Sequence, residues 1–147
     1  NLNYVINKTM EKVSGMFSAD HPIEFIPYSE ESAIRQDSTL IAQALFQVLS
    51  NAYKHTEPGT KISIKTELFN QILILSVTDY GKGVSPERLR EIFNETATTG
   101  ITVSERPGLG LGLAIAKRSI ELAGGTIYAD SEYGKWFKMT MEIPFGD

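Results

Sequence analysis

The sequence predicts an α+β domain, a two-layer α/β sandwich in which about three helices cover one face of a mixed sheet of about five strands. Two observations carry this prediction. Three long segments repeat apolar residues at helical spacing, and at least five short segments look like strands, with one hairpin in the middle of the chain and another at its end. The 147 residues, 41% of them hydrophobic, suffice for one domain with a sizeable core.

Composition argues against several functional classes. The formal net charge of −4 and the lack of a long basic run do not suggest a nucleic-acid or anionic-membrane surface. The absence of cysteine excludes disulfides and thiolate metal sites and suits a reducing compartment. No apolar run approaches the roughly 20 residues that span a bilayer. Because the first residue is Asn1 rather than Met, we expect this chain to be a piece of a longer protein. The lack of a membrane-spanning segment here therefore says nothing about the parent protein.

The first part of the chain predicts a helix followed by short strands. Residues 1–18 repeat apolar residues at helical spacing, and His21-Pro22 breaks that helix. We expect His21 to lie in a surface turn. Residues 23–26 predict a short strand, and residues 33–35 are a candidate for another.

A long amphipathic helix comes next. Asp37, Ser38 and Thr39 are candidates for its N-cap, and the turn residues 57–59 end it. Its apolar residues follow the spacing i, i+3, i+4, i+7, i+8 and i+11 and define the core face: Ile41, Ala44, Leu45, Val48, Leu49 and Ala52.

A hairpin and a short helix occupy the middle of the chain. Residues 61–66 alternate like a half-buried strand, residues 72–77 form an apolar run typical of a central strand, and residues 69–71 connect them. Ser85 is the expected N-cap of the short helix, with Pro86 at its first position.

The last third combines a long loop, a helix and two strands. The short helix closes near Phe93, and residues 94–107 show no periodicity, which in a compact domain is typical of a functional or mobile loop. Glycines at every second position from 108 to 112 precede a helix that Gly124-Gly125 ends. Two strands finish the chain, at residues 126–129 and 137–143.

Four polar residues form one stripe beside the apolar face of the long helix: Gln47, Asn51, Lys54 and His55. Taken alone, such a stripe is more often a solvated helix edge. However, Asn is a poor residue for the middle of a helix. An amide next to an ammonium suits a metal-bound polyphosphate, because the amide oxygen can ligate Mg²⁺ and the ammonium can neutralise phosphate charge.

Asp79 ends the central strand on the face that should be buried, since it alternates in phase with Leu73, Leu75 and Val77. A buried carboxylate needs a donor. An adenine amino group would serve, with Gly81 and Gly83 leaving room for a flat ring. The alternative is an ordinary Asp-Gly turn at the end of a strand.

The glycine stretch 108–112 is a candidate anion site, because a helix start with accessible backbone N–H groups binds phosphate. It lacks the GK[ST] of a P-loop, and its GxGxG spacing is not the GxGxxG of a dinucleotide fold. The signal is therefore weak by itself, and a mobile glycine linker is the alternative.

Taken together and in this order, the features resemble the ATP-binding catalytic domain of sensor histidine kinases, within the Bergerat-fold (GHKL) family shared with gyrase, the Hsp90 chaperones and MutL. The resemblance covers nearly the whole chain. Five segments carry it: 51–56 resembles the N box, 79–83 the first Gly box, 92–93 the F box, 108–113 the second Gly box, and 124–127 the usual GG before a strand.

The resemblance implies roles at the nucleotide. Asn51 would bind Mg²⁺ and through it the phosphates, and Lys54 would contact phosphate directly. His55 stands where the family often has an aromatic residue against the adenine. Asp79 would receive the adenine amino group, with Gly81 and Gly83 beside the ring.

The resemblance also implies a lid over the ATP, residues 94–107, anchored by Phe93. Arg106, the only arginine in this lid, is a candidate γ-phosphate contact, with an ordinary surface arginine as the alternative. The second Gly box would present backbone N–H groups to the phosphates: Gly108, Leu109, Gly110, Leu111 and Gly112.

Several positions depart from the family pattern. Asn94-Glu95-Thr96 follow the F box where a second Phe and a basic residue are usual, so the lid is less apolar than expected. Leu109 stands where a small or hydroxylated residue is common. Trp136-Phe137-Lys138 replace the small and hydroxyl residues that are usual near the C-terminus.

Gln47 bears on the reaction, and with Asn51 and Lys54 it makes up the expected catalytic set. Hydrolysing members of the family carry a Glu one turn before the Asn, and an amide cannot act as a general base near neutral pH. Gln47 therefore favours holding ATP over hydrolysing it. Neither His21 nor His55 lies in the family's His-Glu-Leu-Arg context.

The resemblance thus implies the catalytic domain of a two-component sensor histidine kinase, a single domain over residues 1–147, with residues 1–20 as a possible linker or first helix from a missing dimerisation domain. It would bind Mg-ATP and phosphorylate a histidine on that domain, and a response regulator would receive the phosphate. We expect the isolated domain to be a monomer of cytoplasmic location. Its parent is expected to be a homodimer, for which a membrane anchor is left open. The alternatives are a non-catalytic ATP-binding regulator, anti-sigma-like or a degenerate kinase, and an ATP-driven clamp.

Overall fold

The sheet has five strands in the order β1-β2-β3-β5-β4. The computed structural model describes residues 1–17, 20–30, 36–92 and 109–145, with the backbone alone at 109–111. Strand β1 pairs parallel with β2, and the remaining neighbours pair antiparallel, so the sheet is mixed as predicted. The strand bounds are β1 Ile23–Ile26, β2 Ile62–Phe69, β3 Ile72–Asp79, β4 Thr126–Glu132 and β5 Trp136–Pro144.

Helices cover one face of this sheet. Alternate residues of the central strands are buried on that face: Ile62, Ile64, Leu73, Leu75, Val77, Phe137, Met139, Met141 and Ile143. The apolar sides of the helices belong to the same core. This two-layer arrangement confirms the predicted fold class. The helix bounds are α1 Leu2–Met16, α2 Ser38–Lys54, α3 Pro86–Leu89 and α4 Leu109–Leu122. In the described ranges, no helix is both long enough and apolar enough to cross a membrane.

Local capping explains where the helices begin. The side chain of Asp37 accepts the N–H of Thr39 at 2.9 Å and is the N-cap of α2, the first of the three predicted candidates. Ser85 caps α3, and Pro86 occupies its first turn, as predicted. All six residues of the predicted core face of α2 are buried.

Two expectations are wrong. Helix α4 begins at Leu109, so Gly110 and Gly112 lie inside its first turn and only Gly108 precedes it. His21 does not lie in a surface turn, because only 8% of it is exposed. The candidate strand at residues 33–35 falls outside the described residues.

The β2–β3 hairpin closes through two residues with positive φ, Asn70 at 49° and Gln71 at 63°. Such a loop suits Asn at the first position, but Gln is strained at the second. We expect Gln71→Gly to stabilise the domain by about 1 kcal/mol, measured by urea unfolding. The reverse change at an open glycine of similar backbone, Gly134→Ala (φ 92°), should destabilise it. An unchanged or lowered midpoint for the Gln71 variant would contradict this explanation.

Candidate functional site

The polar stripe of α2 runs from the buried interior to solvent. Asn51 is 6% exposed, Gln47 and His55 are half-buried, and Lys54 is exposed. His55 is the C-cap of the helix, and its N–H donates to the carbonyl of Asn51 at 3.1 Å. A solvated helix edge therefore does not describe Asn51. Asn51 instead lies in the last turn of α2, out of solvent, where a buried amide needs polar partners and is a candidate to bind a ligand.

Asp79 ends β3 in the core, as predicted, with 2% of the residue exposed. It pairs in register with Ile62 on one side and Phe137 on the other. The backbone N–H of Gly81 donates to its Oδ1 at 3.2 Å. A carboxylate is costly to bury without hydrogen bonds, so a buried acid at the end of a strand requires donors.

Thr56 joins the end of α2 to the loop after β3. A Cβ atom at Gly81 would lie 2.9 Å from Thr56 Cγ2 and 3.2 Å from Asp79 Oδ1. Gly81 is therefore required by close packing between Thr56 and the carboxylate. Thr56 is the last residue of the N-box segment 51–56, and no local pattern predicts this role, because the contact joins residues 25 positions apart.

Gly83 is held against the β4–β5 hairpin. Its φ is 67°, and a Cβ atom there would lie 2.6 Å from Ser131 Oγ and 2.8 Å from the carbonyl oxygen of Trp136. The hydroxyl of Ser131 accepts the N–H of Val84 at 2.9 Å and donates to that carbonyl at 2.8 Å. This glycine therefore has a packing role of its own, which the sequence did not indicate, and its contact with an adenine ring stays a prediction.

Helix α4 meets α2 at the other end of the stripe. A Cβ atom at Gly112 would lie 3.2 Å from Gln47 Oε1. Gln47 lies seven residues before Lys54, the last residue of α2, and Thr56 follows the C-cap His55. Asn51 lies between these two contacts. The C-terminal part of α2 thus has Gly81, next to Asp79, packed just beyond its end and the first turn of α4 packed at Gln47.

The remaining predicted site residues are not described, or are described by their backbone alone. Phe93, the lid 94–107 with Arg106, and Gly108 fall outside the described residues, and at Leu109, Gly110 and Leu111 only the backbone is described. Of the set, the structure places Gln47, Asn51 and Lys54 on α2, His55 at its C-cap, Asp79 at the end of β3, Gly81 and Gly83 after it, and Gly112 on α4. It brings Gly112 to Gln47, and Gly81 with Asp79 to the end of α2, whereas Gly83 packs on the β4–β5 hairpin.

Comparison with known proteins identifies a family and close relatives in sequence. Residues 36–147 match the family described as histidine kinase-, DNA gyrase B- and HSP90-like ATPases. The sensor histidine kinase YvrG of Bacillus subtilis is 35% identical over 115 residues, which cover 78% of this chain and 20% of that protein. The sensor protein KdpD of Clostridium acetobutylicum is 32% identical over 126 residues, covering 85% of this chain and 14% of that protein. The chain thus spans a fifth or less of the length of these relatives.

Solved structures share the architecture along nearly the whole chain. The mycobacterial sensor histidine kinase MprB superposes with a TM-score of 0.78 at 25% identity, covering 97% of this chain and 95% of that one. The nucleotide-free catalytic domain of histidine kinase ThkA gives a TM-score of 0.77 at 27% identity, covering 98% and 92%. These matches include α1 and β1, which precede the segment matched by the family.

Proposed function

The chain belongs to the histidine kinase-, DNA gyrase B- and HSP90-like ATPases and is an ATP-binding domain of the histidine kinase type; from this premise we propose that it holds Mg-ATP along α2 and passes the γ-phosphoryl group to a histidine of a separate domain. The observation that carries the proposal is the burial of two polar side chains, Asn51 in the last turn of α2 and Asp79 at the end of β3. Gly81, which packs on Thr56, connects the end of β3 to the end of α2. In the proposal, Asp79 accepts the adenine amino group and the amide oxygen of Asn51 ligates the metal at the phosphates of the same nucleotide.

Catalysis in this proposal is mainly positioning and charge neutralisation. A nitrogen of the acceptor histidine attacks the γ-phosphorus, the bond to the bridging oxygen breaks, and ADP leaves with that oxygen. Lys54 is exposed three residues after the buried Asn51, where its ammonium would neutralise phosphate charge. The N–H groups in the first turn of α4 have no acceptor within the helix and would bind phosphate oxygens.

Asn51 fits a magnesium site, because its amide oxygen is a hard ligand. In the ranges that the structure describes, no group of three His, Cys, Asp or Glu side chains could hold a metal by itself. The phosphates and water would therefore complete the ligand set. When bound, the ion would offset the negative charge of the β- and γ-phosphates.

The partners follow from the same proposal. They are a dimerisation domain that carries the acceptor histidine and a response regulator whose aspartate takes the phosphate, and the parent is a homodimer. The proposal places the domain in the cytoplasm, where ATP is available.

The test is phosphotransfer to the parent protein's own upstream domain. The longer protein is incubated with Mg²⁺ and ATP labelled at the γ-phosphate, and the product is examined for phosphate that is acid-labile and base-stable. Phosphohistidine would support the proposal. Tight ATP binding without any phosphohistidine would instead support a non-catalytic ATP-binding regulator.

Gln47 gives a separate prediction about hydrolysis. We expect Gln47→Glu to raise the rate of ATP hydrolysis at least tenfold, because a carboxylate near Gly112 could act as a general base, a role commonly worth about 10²–10⁴ in rate. The measurement is phosphate release by the isolated domain. Gln43→Glu makes the same charge change one turn earlier, at an exposed position, and should leave the rate unchanged. Equal rates in the two variants would contradict this role for position 47.

A further inference from the structure

His21 is buried just before β1, where it holds the connection between α2 and β2. Its Nδ1 lies 2.8 Å from the carbonyl oxygen of Thr60. Because a carbonyl can only accept, Nδ1 must carry the proton and donate. Nε2 is also buried, without a hydrogen-bond partner among the described residues. Burying a polar ring nitrogen without a partner costs free energy that an apolar side chain would avoid. We therefore infer that the hydrogen bond from Nδ1 has a specific role.

Backbone hydrogen bonds on either side of His21 reinforce this link. The N–H of Gly59 donates to the carbonyl of Asp20 at 2.8 Å, and the N–H of Ile62 donates to the carbonyl of Pro22 at 2.9 Å. Three consecutive residues, 20–22, thus bind the chain that follows α2. The C-terminal end of α2 is thereby tied to the beginning of β1.

The imidazole ring also packs against the last turn of α2. Its centroid lies 4.7 Å from that of the Tyr53 ring, and Phe17 stacks on the same ring at 5.5 Å. Burial first, and the charge of Asp20 second, raise the pKa of the Tyr53 phenol, so that ring stays neutral at ordinary pH. Thr56 Oγ1 lies 3.5 Å from His21 Nδ1 and donates to the carbonyl of Ala52 at 2.6 Å. His21 therefore lies against Thr56, and its hydrogen bond to Thr60 restrains the short segment that follows Thr56.

Thr56 passes this constraint to the candidate nucleotide site. Its Cγ2 packs on Gly81, whose N–H donates to Asp79. We propose that His21 is a positioning residue for adenine recognition: through Thr56 and Gly81 it holds the Asp79 carboxylate in the orientation that accepts the adenine amino group. This inference rests on the proposed function, because it requires Asp79 to contact adenine.

The test compares two variants of nearly equal size, His21→Asn and His21→Leu. An Asn amide can place a donor where Nδ1 stands, whereas Leu cannot donate. Calorimetry in the presence of Mg²⁺ measures the affinity for ATP, and a competition experiment against ATP measures the affinity for inosine triphosphate. Inosine triphosphate carries an oxygen in place of the adenine amino group. We expect the Leu variant to bind ATP about tenfold more weakly, the effect of one misplaced hydrogen bond. Inosine triphosphate affinity should stay within about twofold, and the Asn variant should bind ATP nearly as the native chain does.

Three results would overturn the proposal: native ATP affinity in the Leu variant, equal weakening of both nucleotides, or an Asn variant as weak as the Leu variant. If the Leu variant does not fold, Thr56→Ser and Thr56→Val decide. Ser loses the methyl group that packs on Gly81, and Val loses the hydroxyl that lies 3.5 Å from His21 Nδ1. Both variants should therefore bind ATP more weakly and keep their affinity for inosine triphosphate, and native ATP affinity in either would overturn the proposal. A native chain that binds no ATP would refute the proposed function, whatever the variants do.

Discussion

Replacement of Asn51 by alanine is expected to reduce phosphohistidine formation at least 100-fold, a loss typical of removing one polar group that stabilises charge during the reaction. The change removes the buried amide oxygen on α2 that is proposed to ligate magnesium. Alanine is the strongest helix former, so α2 should remain folded and the loss should be one of function. The measurement is the initial rate of labelled phosphate incorporation in the longer protein, with a thermal melt of each variant beside it.

Gln43→Ala is the matched control for this change. Gln43 is exposed on the same helix, two turns before Asn51, and makes no proposed contact with the nucleotide. It should keep the native rate within about twofold, since surface substitutions rarely disturb a distant site. An Asn51 variant that keeps more than a third of the native rate would show that this residue does not hold the metal.

Replacement of Asp79 by asparagine is expected to weaken ATP binding at least 100-fold, because a site that lacks the hydrogen bond it is built for rejects its ligand strongly. Oδ1 can still accept the N–H of Gly81, which preserves the loop after β3. The second atom, however, becomes an NH₂ group, and facing the adenine amino group it would place two donors against each other. Calorimetry with Mg-ATP measures the loss.

Asp130→Asn makes the same chemical change at an exposed position of β4 and should bind ATP as the native chain does. If both variants bind ATP equally well, Asp79 is a structural carboxylate at the end of β3, and the adenine would have to lie elsewhere. Equal losses in both would indicate a general effect of net charge.

The fold followed from sequence because its main signals are local. The apolar spacing of α2, the alternation of β2 and the capping by Asp37 and Ser85 each depend on residues within one or two turns. The sequence predicts too late a start for α4, because glycine lowers helix propensity and GxGxG therefore indicates a loop. Gly112 nevertheless lies within the helix, close to Gln47 of α2.

The positions of several candidate site residues could also be predicted from the sequence, because they follow the periodicity of a helix or a strand. The in-phase position of Asp79 and the stripe on α2 both come from simple periodicity. What periodicity cannot report are contacts between distant segments. The burial of His21, the packing of Thr56 on Gly81 and the bracing of Gly83 by Ser131 each join residues 25 or more positions apart, so only the folded chain reveals them.

Because α4 starts directly at Leu109 among glycines, its opening turn combines weak intrinsic helicity with amide groups that lack acceptors. A bound triphosphate would supply those acceptors and suppress fraying there. By thermodynamic linkage, ligand occupancy and the order of that turn must reinforce each other equally. Amide hydrogen exchange at the start of α4 would therefore slow as nucleotide is added, making this short stretch of backbone a reporter of whether the domain is loaded.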